Sequence, residues 1–343
     1  MGFTIVQEIP DPEEMIDRFS LSDKQKKIKA ERDRELKAII EGVDDRFLVV
    51  IGPCSAEDED AVCEYTERLA KIYEELKEKL FLVPRIYTNK PRTTGEGYKG
   101  MLHQPDPLSE PNMVDGISAI RRMHIRCISE TGLTAADEML YPDNLVYCHD
   151  LLCYIAIGAR SVENQQHRLT SSGIDLPVGM KNPTSGDLNV MYNAVQAAQV
   201  PHNYIYRNKE VKTDGNPLAH AILRGSVNKH GEDIPNYHYE DLQIAVDLYE
   251  KRGLKHPFIV VDTNHSNSGK KYLEQPRIAK DILYTRNHNS AIKNVVRGLM
   301  IESYLVEGRQ DLTDKLVRGK SITDPCLGWE STAQLLHYIA ENV

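Results

Sequence analysis

From Phe47 onward, short apolar runs alternate with longer stretches in which apolar residues recur at helical spacing. The runs are FLVVIG (47–52), FLVPRIY (81–87), TAADEM (134–139), YIAIGAR (154–160), PVGMK (177–181), HAILRG (220–225), FIVVDTNH (258–265) and VRGLMIES (296–303). Residues 59–80, 114–130, 239–251 and 272–285 read as amphipathic helices between them, and 331–342 as a last helix. A strand that is apolar on both faces belongs in a parallel sheet covered on both sides, so the alternation predicts an α/β fold. Eight such units predict a (β/α)8 TIM barrel. The segment NYIYRNKEVKTDG (203–215) interrupts the alternation and reads as an inserted β-hairpin, with Asp214-Gly215 as its turn signal. Ahead of the barrel, Asp23 caps a helix over 24–40 that Gly42 ends. Its apolar positions are few (Ile28, Leu36, Ile39, Ile40), which predicts a helix mostly solvated or lying on a partner surface. The chain thus divides into an N-terminal extension over 1–45 and a barrel over 46–343.

The chain has 343 residues, 41% hydrophobic and 27% charged, enough for a large buried core and contrary to disorder or a coiled coil as the main state. A formal charge of −9 argues against nucleic acid as a principal partner. No apolar run nears the ~20 residues that span a bilayer, so no membrane partner is expected. The acidic start MGFTIVQEIPDPEE does not read as a signal peptide, and a cytoplasmic location is expected. Six cysteines (Cys54, Cys63, Cys127, Cys148, Cys153, Cys326) form no CxxC pair, which suits reduced thiols better than a disulfide framework.

Each apolar run ends in or beside a residue that is costly to bury and useful in chemistry. In order these are Cys54, Arg85, Glu138, Arg160, Lys181, Arg224, His265 and Glu302. A parallel barrel collects its strand ends at one face, where barrel enzymes carry their sites. Any one of these residues reads equally well as a solvated strand cap. Three arginines and a lysine around one mouth, however, require an anionic ligand or acidic neighbours. With Lys90, Arg92 and Lys99 added, an acidic protein gains a local anion trap suited to small phosphorylated or carboxylated substrates. There is no GxxxxGK[ST] loop and no GxGxxG after a strand, so a nucleotide is not indicated. In the loop KPRTTGEGYKG (90–100), Arg92 suits bidentate phosphate binding, Thr93 and Thr94 offer hydroxyls, and the glycines permit close approach; the competing reading is a solvated loop. Cys54, His265, Glu302 and Asp324 make a mixed S/N/O/O set that suits a divalent first-row metal without selecting one. Against that stand the usual fates of such residues: a core thiol and a hydrogen-bonded strand-end histidine. His103, His124, His149 and His337 lack such a context and read as surface or core residues.

The segments IGPCS (51–55), KPRTT (90–94), IGARSVENQQHR (157–168), PVGMKN (177–182), ILRG (222–225), NHSNSGK (264–270), IESYLVEG (301–308) and GKSITDPCLGWE (319–330) resemble the class I, microbial-type 3-deoxy-D-arabino-heptulosonate 7-phosphate (DAHP) synthases. The likeness runs in order from about residue 12 to the C-terminus. It implies a transferase that condenses phosphoenolpyruvate with erythrose 4-phosphate and water, giving DAHP and phosphate in the first step of the shikimate pathway to aromatic amino acids. It also implies one divalent metal ion per subunit (Mn, Fe, Co or Zn) and a homo-oligomer, dimer or tetramer, with the extension 1–45 as oligomer or regulatory arm. Carried over by motif, the metal ligands are Cys54, His265, Glu302 and Asp324. The phosphoenolpyruvate pocket falls to Arg85, Lys90, Glu138, Arg160, Lys181 and Arg224, and the sugar phosphate to Arg92 and Thr93. Catalysis falls to Lys90, Cys54 and His265, with Lys90 a proton donor whose pKa neighbouring cations would lower. His167 takes a supporting role.

Two rivals are weaker. The sister 3-deoxy-D-manno-octulosonate 8-phosphate synthases, which use arabinose 5-phosphate, resemble K-A-N-R where this chain has KPRTT. A catalytically silent relative would not need all four presumed ligands and the whole basic cluster. The departures concern regulation. Leu145-Val146 in YPDNLV (141–146) stands where several members carry Pro-Gln, and Asp175 where Ser or Asn is expected. A carboxylate there repels the carboxylate of an amino-acid effector, so inhibition by Phe, Tyr or Trp is not expected. The loop 90–100 is one residue longer than the usual form.

Overall fold

The computed structural model describes residues 2–92, 95–313 and 315–343. All eight apolar runs form parallel strands: β1 (Phe47–Gly52), β2 (Leu80–Pro84), β3 (Ala135–Glu138), β4 (Leu152–Ile157), β5 (Val178–Lys181), β6 (Ala219–Leu223), β7 (Ile259–Asp262) and β8 (Val296–Glu302). The order around the sheet is β2-β1-β8-β7-β6-β5-β4-β3. A single parallel bridge between Arg85 and Ala136 returns β2 to β3 and closes the ring. The fold is the expected (β/α)8 barrel.

Alternation along each strand divides the core in two. Leu48, Val50, Val83, Ala136, Tyr154, Ile222, Val260 and Met300 fill the barrel interior. Val49, Ile51, Leu82, Ile155, Val261 and Leu299 face outward into the larger cluster beneath the helices. Those helices include Glu59–Leu76, Met113–Thr131, Leu188–Gln199, Tyr239–Lys251, Gln275–His288 and Trp329–Asn342. The helix expected over 59–80 ends at Leu76 because β2 takes over at Leu80. The one expected over 272–285 begins three residues later, where Pro276 sits in its first turn.

The N-terminal helix Asp23–Glu41 lies against its own barrel. Ser22 and Gln25 close a capping box, and Gly42 ends the helix with φ +78°. Leu36, Ile39 and Ile40 join Leu218 and Phe258 in the interior cluster, so the helix plugs the end where the strands begin. Arg32, buried, donates to the Leu82 carbonyl at 2.6 Å and to Thr134 Oγ1 at 3.2 Å, beside the weakly paired β2–β3 seam. Arg297 donates to the Ile39 and Asp44 carbonyls, which closes the helix C-terminus onto β8.

The inserted hairpin is present, but its turn is not the expected one. Asn203–Tyr206 pairs antiparallel with Lys209–Lys212, and the turn is Arg207-Asn208, with φ of 49° and 58°. Two consecutive left-handed residues make the tight hairpin turn, and asparagine tolerates that region well. Asp214-Gly215 lies beyond the second strand.

Candidate active site

The strand ends converge at the opposite end of the barrel from the plug. Gly52 closes β1 against Arg85, where a Cβ would stand 2.4 Å from the Arg85 carbonyl oxygen; only glycine lets the two strand ends approach so closely. The chain then turns through Pro53 to Cys54, which is fully buried. Ser55 Oγ meets Thr323 Oγ1 at 2.9 Å, which ties this loop to the segment carrying Asp324. Cys54 Sγ lies 3.6 Å from Asp324 Oδ2. Donor atoms of Cys54, Glu302 and Asp324 all lie within 4.8 Å of one another. His265 stands beside this group, with Nε2 3.9 Å from Glu302 Oε1, although it does not complete the same tight cluster. Its backbone has φ +46°, a left-handed conformation that histidine adopts rarely and that is found preferentially at functional sites.

Glu302 is held from three sides. Asn264 Nδ2 donates to Oε2 at 2.5 Å, and Gln275 bonds both backbone groups of Glu302. Arg85 Nη2 lies 3.0 Å from Oε1 without aiming an N–H at it, so this buried oxygen accepts no hydrogen bond. Arg85 itself is buried over the Tyr87 ring, 3.8 Å from its centroid, and donates to the Pro53 carbonyl. Burial is the largest single effect and disfavours its charge, but Glu302, Tyr87, Cys54 and Asp262 together outweigh it and raise the pKa. A thiol and two carboxylates around an unbonded buried oxygen fit a divalent first-row ion.

Lys90 Nζ donates to the Cys54 carbonyl at 3.0 Å and to Sγ at 2.9 Å. Its pKa is raised, not lowered as expected. Burial pushes it down, but Cys54, Glu302 and Asp324 exceed that effect and that of Arg85. Burial pushes the Cys54 thiol up, and Glu302 pushes it further. Burial also opposes ionisation of Asp324, yet Lys90, Lys270 and His265 hold its carboxyl below the usual range.

The cationic half of the mouth adjoins. Lys181, at the end of β5, is buried with Nζ 3.0 Å from Asp262 Oδ2. Arg224, also buried, donates to Ser266 Oγ at 3.2 Å; burial and the charge of Arg160 lower its pKa. Arg160 is exposed on the turn after β4. Glu138 is partly buried against Gly158, where a Cβ would stand 2.2 Å from its Oε1. Arg92 stays on its own loop, donating to the Tyr98 carbonyl at 2.8 Å. Thr93 and Thr94 lie outside the described residues. His167 has both ring nitrogens engaged, by Asn164 and by the Leu140 carbonyl, a structural arrangement.

The family model described as "DAHP synthetase I family" matches residues 20–337. The chain belongs to the DAHP synthetase I family. It is 37% identical to phospho-2-dehydro-3-deoxyheptonate aldolase of Haemophilus influenzae, over 98% of this chain and 92% of the other. It is 37% identical to the Phe-sensitive aldolase of that name from Escherichia coli K12, over 98% and 95%. A solved phospho-2-dehydro-3-deoxyheptonate aldolase from Francisella tularensis superposes with TM-score 0.91 at 32% identity, over 99% and 98%. As a member of this family the protein is an enzyme of the transferase type that forms a carbon–carbon bond.

Reading the sequence for this family did not single out Asp262, Asn264, Gln275 or Tyr87, although each orients a site residue. Only Asp262 left a trace, as a carboxylate at the end of an apolar strand, three residues before a histidine. The expected regulatory positions Leu145, Val146 and Asp175 do line one cavity, of about 850 Å³, together with Tyr204, Tyr206 and Arg207 of the hairpin. Among the described residues no helix is long and apolar enough to cross a membrane.

Proposed function

We propose that the protein is a metal-dependent DAHP synthase that joins phosphoenolpyruvate to D-erythrose 4-phosphate, with water consumed and phosphate released. The observation that carries this reading is the convergence of Cys54, Glu302 and Asp324 donors within 4.8 Å. Lys181 and Arg224 stand beside them. Cys54, His265, Glu302 and Asp324 hold the divalent ion, which, when bound, supplies Lewis acidity toward the aldehyde oxygen. Arg85, Arg160, Lys181 and Arg224 hold the phosphate and carboxylate of phosphoenolpyruvate in attack geometry, with Glu138 at the pocket edge. Arg92 and Thr93 take the sugar phosphate. Carbon 3 of phosphoenolpyruvate attacks the aldehyde carbon, and positive charge develops at carbon 2. Water adds at carbon 2 and phosphate leaves by C–O cleavage. Lys90, an ammonium with its Nζ on Cys54, delivers a proton to the new alkoxide.

Phosphate release assayed with erythrose 4-phosphate and with arabinose 5-phosphate tests the substrate. Turnover only with the four-carbon sugar is expected, and turnover only with the five-carbon sugar reassigns the enzyme. The same reading includes a cytoplasmic homo-oligomer. In the N-terminal arm, Phe3, Ile5 and Val6 are 88%, 87% and 91% exposed, apolar area that association would cover. Light scattering of the intact chain and of one lacking residues 2–10 checks this, the second expected to be smaller. The protein is also expected to be insensitive to Phe, Tyr and Trp, since Asp175 lines the cavity beside the hairpin. Inhibition by any of the three removes that expectation.

A further inference from the structure

We infer that Asp262 is a positioning residue whose one carboxylate oxygen fixes both the tautomer of His265 and the place of the Lys181 ammonium. The inference deepens the reading proposed above, because it takes His265 for the metal half of the site and Lys181 for the anion half. Asp262 ends β7 and is 1% exposed. Its Oδ2 lies 2.8 Å from His265 Nδ1 and 3.0 Å from Lys181 Nζ. Its Oδ1 accepts the Asn264 backbone N–H at 3.0 Å, and its own carbonyl accepts from Asn267 at 2.8 Å. Both carboxylate oxygens are therefore engaged and the group is fixed in place.

A carboxylate oxygen only accepts, so the contact with Asp262 places a proton on Nδ1. Nε2 is then the ring atom left to face Glu302 Oε1, 3.9 Å away, and a ring nitrogen and a carboxylate oxygen so placed favour a cation between them. The left-handed backbone of His265, φ +46°, aims the ring this way, and the Asp262 hydrogen bond holds it there. The same oxygen keeps the Lys181 ammonium at the mouth, in a position that would otherwise place an unpaired charge in a buried site. One side chain thus ties the two halves of the mouth together, and its removal loosens both.

The test has two arms. In the metal-free wild type labelled with ¹⁵N-histidine, His265, assigned by the signal lost in His265→Gln, is expected to carry its proton on Nδ1. In Asp262→Asn, which keeps the shape, Mn²⁺ affinity measured by chelator competition is expected to fall 10–100-fold. The phosphoenolpyruvate KM is expected to rise at least tenfold in the same variant. Lys181→Met should raise that KM while sparing Mn²⁺ affinity, and Cys54→Ala should do the reverse. A wild-type His265 ring without a proton on Nδ1 overturns the inference, as does an Asp262→Asn protein with both quantities within twofold of wild type. Should Asp262→Asn not fold, the wild-type tautomer alone decides. Failure of the metal reading looks different: wild type would bind no Mn²⁺ and Cys54→Ala would be fully active, whatever the tautomer.

Discussion

The two ends of the barrel bury charge in opposite ways. At the floor, Arg32 and Arg297 spend their N–H groups on backbone carbonyls and a threonine hydroxyl, and the apolar side chains of the N-terminal helix fill the interior beside them. Just inside, His220 is paired at 2.8 Å with the Tyr154 hydroxyl and at 2.8 Å with the Leu218 carbonyl. At the mouth, charged side chains face one another across strands, Glu302 Oε1 and Arg85 Nε lack hydrogen-bond partners, and His265 sits in a strained conformation. Unpartnered buried atoms occur at the floor too, on Arg286 beside the start of β8 and on Asp33 of the N-terminal helix, but at the mouth they belong to charges that face one another across strands. Barrel enzymes separate stability from chemistry along this axis, and residual polar demand is what a ligand can meet.

The comparison is sharpest in its largest expected effect. Cys54→Ala should lower kcat/KM by at least about a thousandfold, roughly 4 kcal/mol of barrier, while unfolding free energy changes by only about 1 kcal/mol. Full activity with excess metal would break the assignment of the mouth. Leu36→Ala at the floor should do the converse, costing about 2–5 kcal/mol of stability in denaturant titration with kcat unchanged. A loss of kcat in the folded variant would show that the two ends are not independent.

Acid–base behaviour should separate the ends next. Glu57, on the mouth side after Cys54, is buried with Oε2 unpartnered, and burial pushes its pKa up to about 8 from 4.5. Between those values the folded protein holds a proton that the unfolded chain has lost. Stability therefore falls as pH rises through that window, by up to about 1.4 kcal/mol per unit, and Glu57→Gln should flatten the slope. His220 runs the other way. Burial lowers its pKa to about 4 from 6.5, so the unfolded chain binds the extra proton in that window. Stability is lost there as pH falls, and His220→Gln should remove that limb from the unfolding midpoint plotted against pH. The smallest effect belongs to neither end. Lys71→Ala breaks an exposed pair with Glu67 on an outer helix and should change stability by less than about 0.5 kcal/mol.

Much of this was legible in the chain. The eight strands were readable because residues buried on both faces leave a continuous apolar signature that exposed helices do not share. Lys181, Arg224 and Glu302 were readable only as part of a set, since each alone reads equally well as a solvated strand cap while several cations around one mouth require an anionic partner. The Asp262 contacts were not, since an aspartate in VVDTNH looks the same whether it faces water or spans two strands. Nor was the hairpin turn, where Arg207-Asn208 adopts the left-handed region ahead of the more conspicuous Asp214-Gly215. The N-terminal helix looked solvated because its few apolar residues are enough only when the surface they meet is the end of a barrel.

Local spacing alone determined which segments become strand or helix and which reactive groups stand at their ends, because both depend on neighbours only a few residues away. Tertiary structure decided the partnerships: that Cys54 meets Asp324 across 270 residues, that Lys181 takes Asp262, that His265 faces Glu302, and that Arg32 bonds β2 beside its seam with β3. Such contacts exist only once the ring has closed, and no local pattern records the distance across it.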